Sequence, residues 1–165
     1  MVFHVANFDD SRLTAIGLLT EVHAGLMDRF NPVMSAAGLS EIDFECLMRL
    51  ARSSGHRLRM SDLAAQTGLS TSGVTRVVDR LERENLATRE ACSTDRRASY
   101  ATLTPTGLER LETVLPQHLK DIDDCFTGLL EGPELEQFLN SLRKIRQVVR
   151  PCATAGANEE APARS

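Results

Sequence analysis

The chain contains no tryptophan, one tyrosine and six phenylalanines among 165 residues, so aromatic side chains make up only 4% of it. Successive bases of single-stranded nucleic acid are held by stacking on such rings, and that binding mode is not expected here. Four cysteines, Cys46, Cys92, Cys125 and Cys152, are widely spaced with no C-x-x-C pair. That pattern points to neither a zinc site nor a secreted disulfide framework. No apolar run is long enough to span a bilayer, and residues 1–10 carry no basic segment followed by an apolar stretch. A cytoplasmic protein with no membrane partner is expected. Also missing are a nucleophile beside a base, paired carboxylates, metal-ligand spacing and a phosphate-binding glycine loop. His4, His23, His56 and His118 form no short-range ligand pair. Neither an enzyme nor a cofactor or metal site is indicated.

What is present is an uneven distribution of charge. The net charge of -4 argues against a polyanionic partner until it is divided along the chain. Residues 49–97 hold ten Arg and no Lys against six Asp plus Glu, a local +4, which leaves nine basic and seventeen acidic residues, or -8, elsewhere. A basic centre in an acidic chain is expected when one module faces phosphates and the remainder faces solvent or a partner subunit.

Hydrophobic content of 42% and charged content of 25% are those of an ordinary globular protein, long enough for one compact domain or a small module with helical additions. Over residues 11–37, Ile16, Leu19, Val22, Leu26, Met27, Phe30, Val33 and Met34 recur with helical period. Pro32 is expected to kink or break that helix. Ser40 and Asp43 form a capping-box pattern ahead of a second helix that reaches about residue 53. Ser61 is a candidate cap for a third helix over 62–67, which Gly68 closes in the left-handed conformation. Ser70 caps a fourth. Only Gly68, Leu69 and Ser70 separate the third and fourth helices, the tight connection of a helix-turn-helix. Beyond Asn85, residues 86–90 and 99–103 read as short strands joined by the polar stretch 92–97, a β-hairpin wing. Thr104 and Pro105 start a long helix whose apolar face runs from Leu108 to Leu129, with a bend expected at Pro116. A last helix covers 133–149, and the Ala-, Pro-, Gly- and Glu-rich residues 151–165 are expected to be disordered.

On the fourth helix, Val74, Val77, Val78 and Leu81 share one side, which is core. Ser72, Arg76, Asp79 and Arg83 fall on the opposite side, flanked by Thr71, Thr75 and Arg80. With Ser70 they supply donors and acceptors suited to base edges and phosphates in a major groove. At the hairpin tip, Thr94, Asp95, Arg96 and Arg97 are candidate DNA contacts. Arg97 is assigned to a narrow minor groove, and Asp95 to orienting a nearby arginine.

The run from Leu39 to Leu108 resembles the multiple antibiotic resistance regulator (MarR) family of winged helix-turn-helix transcription factors. The resemblance rests on Gly38-Leu39-Ser40 with Phe44 and Leu47, Ser61-Asp62-Leu63-Ala64, Gly68-Leu69-Ser70, the run from Val74 to Glu82, Asp95-Arg96-Arg97, and Leu103-Thr104-Pro105-Thr106-Gly107. It implies a mainly α fold with a small β wing. Residues 39–104 would form the winged helix-turn-helix, and 11–38 with 105–150 the interlocking dimerisation helices. The terminal helices independently carry more apolar surface than the compact centre can cover. A two-fold dimer in turn implies a pseudo-palindromic operator with half-sites about one helical turn apart. The resemblance further implies a repressor released by a small phenolic or anionic effector bound between the two regions. It assigns no effector residues, Arg12 and His23 being candidate anion contacts only. Two alternatives stand beside this reading. One is a thiol-based redox sensor using Cys92, which begins the wing loop near Arg89. The other is a winged-helix protein-interaction module, disfavoured by the presence of Arg76, Arg80 and Arg97.

Overall fold

In the computed structural model, residues 8–91 and 98–156 are described. Their helices are α1 (Ser11–Ala36), α2 (Glu41–Ala51), α3 (Met60–Thr67), α4 (Thr71–Arg83), α5 (Pro105–Cys125) and α6 (Gly132–Val149). Three short strands, β1 (Arg57–Arg59), β2 (Ala87–Ala91) and β3 (Ser99–Leu103), make one antiparallel sheet in the order β1-β3-β2.

The caps explain several boundaries. Asp10 accepts from the Arg12 amide and starts α1. Ser40 and Asp43 make the reciprocal capping box of α2. Ser70 accepts from the Gly73 amide at 3.1 Å, and Thr104 from the Gly107 amide at 2.9 Å with Pro105 following it. Gly68 ends α3 at φ 74°, in the left-handed region open to a residue without Cβ. Asn85 leaves α4 at φ 57° and returns the Leu86 amide to the Leu81 carbonyl at 2.8 Å.

Other boundaries depart from what local patterns predict. Helix α1 passes through Pro32 without a break, because Phe30 and Met34, 6% and 2% exposed, anchor its last turns in the core. Pro116 likewise lies inside a continuous α5. Ser61 does not cap α3, which starts at Met60, with Arg59 at its N-cap position. The reason is β1, a strand that periodicity does not reveal. It pairs Leu58 with Ala101 and Arg59 with Tyr100, and it delivers the chain straight into the helix. Helix α2 ends at Ala51 rather than near 53, and α5 at Cys125, short of Leu129, which lies in the turn Thr127–Leu129. Residues 151–156, expected as the start of a disordered tail, form turns in which Ala153 is buried.

One core joins all these pieces. Leu47, Leu50, Leu63, Val74, Val78, Leu81 and Leu86 are the central, fully buried side chains, and Leu111 and Val114 attach α5 to them. Gly107 marks the tightest approach, since a Cβ there would lie 2.0 Å from the Leu86 carbonyl oxygen. By contrast, α1 exposes Leu13, Ile16, Leu19 and Val22, and α6 exposes Ile145, Val148 and Val149.

Candidate nucleic-acid interface and its adjoining cavity

Helix α4 has the two faces that its sequence predicts. Val74, Val77, Val78 and Leu81 are buried, whereas Ser70, Thr71, Ser72, Arg76, Asp79 and Arg83 are exposed to differing degrees on the outer side. The hydroxyls there are locally arranged, Ser70 and Ser72 lying 3.1 Å apart and Thr75 donating to the Thr71 carbonyl at 2.9 Å. Arg83 curls back to the Asp79 carbonyl at 3.3 Å. Arg76 is a cation on the outward face with no ion pair among those found in the described residues.

Two residues of the expected contact set are engaged within the protein. Arg80 turns toward α2, where its Nε donates to Asp43 Oδ1 at 3.0 Å and its Nη2 donates to the same oxygen. Asp43 is 5% exposed, and this pairing holds the Arg80 guanidinium above its ordinary pKa. Asp79 accepts from Arg89 Nη2 at 2.6 Å, and Glu82 accepts from the Arg89 amide at 2.7 Å. Charge-assisted bonds therefore tie α4 to β2, the strand that leads into the wing. On the other side of the sheet, Arg57 lies 4.6 Å from the Tyr100 ring centroid and 3.9 Å from Glu90. These links fix the base of the wing against the helix. Thr94, Asp95, Arg96 and Arg97, together with Cys92, lie outside the described residues.

Behind the helix-turn-helix, a cavity of about 840 Å³ is lined by residues of α1, α2, α3 and α5. Its floor is aromatic. His118 stands edge-on to Phe30 at 4.7 Å and to Phe44 at 4.9 Å. The His118 Nδ1 is buried and has no hydrogen-bond partner among the described residues. Burial pushes the His118 pKa down, and Asp121 opposes the shift in part. Arg49, Arg52 and Arg146 bring positive charge to the lining and Glu41 and Glu45 negative charge, with Arg49 paired to Glu45 at 3.2 Å. Of the two anion contacts considered from sequence, His23 lines this cavity, whereas Arg12 is paired with Asp10 at 2.6 Å on the surface. Sequence reasoning does not single out His118. A signal exists, because it lies between Leu115 and Ile122 on an otherwise apolar stripe.

The remaining described thiols have separate settings. Burial, helped by Glu45 and Asp43, pushes the Cys46 thiol up to about 12, which removes its nucleophilic form. Cys125 donates to the Asp121 carbonyl, and Cys152 is exposed.

A short helix, a three-residue turn, an amphipathic second helix and a small antiparallel sheet define a winged helix-turn-helix protein. Residues 37–98 match the family model described as the MarR family. The chain is 29% identical over 127 residues to the transcriptional repressor MprA of Escherichia coli (strain K12), covering 76% of this chain and 72% of that protein. Its structure resembles that of AbsC, a MarR family transcriptional regulator from Streptomyces coelicolor, with a TM-score of 0.79 and 34% identity over 86% of this chain and 96% of AbsC. It also resembles Sco3205, a MarR family regulator from the same organism solved in complex with DNA, with a TM-score of 0.77 and 26% identity over 84% and 90% of the two chains. The chain belongs to the MarR family and is a DNA-binding transcriptional regulator, a class of proteins that are not enzymes.

Proposed function

We propose that this protein is a homodimeric repressor that binds a pseudo-palindromic operator and releases it when a small aromatic acid enters the cavity behind the helix-turn-helix. The carrying observation for DNA is the outward face of α4, where Ser72, Arg76 and Arg83 stand together. Thr71 and Ser70 lie at the N-terminal end of the same helix, next to backbone amides that suit a phosphate. Asp79 and Arg80 act one step back in this reading. They set the pose of α4 through Arg89 and Asp43 rather than touching bases. Arg96 and Arg97 enter the minor groove, with Thr94 and Asp95 supporting them. MprA is named a repressor, which supports that sign of regulation.

The dimer is supported by the exposed apolar residues of the terminal helices. Leu13, Ile16, Leu19, Ile145 and Val149 are each about half exposed or more, an arrangement that a second copy would cover. A regulator of this kind works in the compartment that holds the DNA, the cytoplasm.

The effector class follows from the cavity. Phe30, Phe44 and His118 offer an aromatic wall, and Arg52 and Arg146, which are in none of the ion pairs found among the described residues, favour a carboxylate. The test is fluorescence anisotropy with the DNA upstream of the protein's own coding sequence and a scrambled duplex, at two salt concentrations, with and without 4-hydroxybenzoate. The expected result is tight binding to the native fragment alone, one dimer per site, weakened by the acid and by Arg97→Ala. Equal, salt-sensitive binding to both duplexes would overturn the operator reading. Specific binding that no aromatic acid alters would overturn the effector reading.

A further inference from the structure

Helix α6 ends at Val149, but the chain does not leave the molecule there. Arg150 adopts φ -144° and ψ 62° and turns the following residues onto the back of α3. Its Nη2 donates to the carbonyls of Gln66 at 3.1 Å and Ala65 at 3.3 Å. These belong to the last turn of α3, where carbonyls have no partner within the helix and the helix dipole presents negative charge. The guanidinium fits because residue 68 is glycine. A Cβ at Gly68 would lie 2.7 Å from Nη1 and 2.9 Å from Nη2. Gly68 is also the first residue of the turn into α4.

Further along, Arg49 of α2 donates to the Ala153 carbonyl at 3.4 Å, and Ala153 is 7% exposed. The Gln66 amide nitrogen donates to the Ala155 carbonyl. Gln66 is 5% exposed, and with Asp43 it makes up the buried polar side chains of the described residues. Asp43 is satisfied from within the helix-turn-helix region, whereas Gln66 is satisfied by this segment. At the far end, Gly156 at φ 73° passes close to the Asp62 carboxylate. Ala153 and Thr154 meanwhile line the cavity that holds His118.

We propose that residues 150–156 form a strap that ties the end of α6 to the α3–α4 turn and closes one side of the cavity. An occupant of the cavity and the recognition helix thereby share one mechanical element. The coupling half of this inference rests on the effector proposed for the cavity; the clamping half does not. A ligand that displaces Ala153 and Thr154 pulls on Arg150 and Gln66, which hold the turn that aims α4. Conversely, DNA bound to α4 keeps the strap seated, as linkage between two sites requires.

The experiment is amide hydrogen exchange on the 165-residue protein, free of DNA, comparing the parent chain with Arg150→Ala and Gln66→Leu. Losing a charge-assisted bond to the α3 carbonyls is expected to speed exchange at residues 65–70 by ~10-fold, while β2 and the middle of α5 exchange as before. Gln66→Leu replaces the amide by an apolar side chain of similar volume, removing the bond to the Ala155 carbonyl, and reports the strap should Arg150→Ala fail to fold. Unchanged exchange at 65–70 in a folded variant would overturn the clamp. A second arm adds 4-hydroxybenzoate to the parent chain. Altered exchange both around His118 and at 65–70 supports the coupling, and a change around His118 alone overturns it. No change anywhere overturns the effector reading and the coupling with it, while the ligand-free chains still decide the clamp.

Discussion

Arg80, on the helix assigned to the major groove, faces inward and closes a two-point ion pair with Asp43, its Nε and Nη2 both donating to the one carboxylate. The same carboxylate caps α2 through the Ser40 amide at 3.2 Å. One buried charge thus joins the start of α2 to the last turn of α4. Arg80→Ala leaves Asp43 buried with its charge uncompensated. Because the arginine side chain is 38% exposed, the cost is discounted for solvent to about 1–3 kcal/mol. Urea unfolding measures it, and operator binding should fall with stability. An Arg80→Ala protein as stable as the parent but deficient on DNA would make Arg80 a direct contact.

Arg76 is expected to behave in the opposite way. It lies on the outward face and carries no fold contact of that kind, so Arg76→Ala should leave the unfolding midpoint unchanged. Discrimination between operator and scrambled duplex should drop by about 1–3 kcal/mol, as for a bidentate base contact. Anisotropy titrations on both duplexes check this, and uniform weakening on both would make Arg76 a phosphate contact.

Gly107→Ala tests the seam between the wing and α5. The new methyl would meet the Leu86 carbonyl oxygen, which also accepts from the Thr104 amide at 3.1 Å. Backbone on both sides must shift, so a loss of about 1–3 kcal/mol or more is expected in chemical denaturation. Wild-type stability would show that the approach relaxes freely.

His118 should make stability pH-dependent. Its folded pKa lies below the ordinary 6.5 because burial between Phe30 and Phe44 disfavours the charged ring. The unfolded chain therefore takes up the proton first. The stabilising contribution is full above pH 6.5 and is lost as the pH falls through the depressed folded value. Thermal midpoints of the parent and His118→Gln, followed from about pH 7.5 to about pH 5, should converge toward the acid end. A parallel decline in both proteins would place the titrating group elsewhere.

Much of this architecture is legible in the sequence because it depends on local rules. Gly68 and Ser70 bound the helix-turn-helix turn by backbone freedom and a hydroxyl cap, and both act within four residues of themselves. The buried face of α4 follows from the 3.6-residue period of Val74, Val77, Val78 and Leu81. Strand β1 escapes such rules. Arg57-Leu58-Arg59 alternates, but three residues are too short a run to distinguish a strand from a loop, and only pairing with β3 makes them one.

The candidate site divides along the same line. Sequence alone determined which residues of α4 are polar and face away from the core, since helical geometry follows directly from spacing. Only the tertiary structure decided which of those are available. Arg80 and Asp79 are withdrawn into pairs with Asp43, 37 residues away in sequence, and Arg89, 10 away. The cavity around His118 and the seat of residues 150–156 on α2 and α3 are likewise properties of packing. They join segments as far as 104 residues apart, as in the Arg49–Ala153 bond. Charge pairing and hydrogen bonding act through space, and no local pattern encodes a partner that folding has yet to bring near.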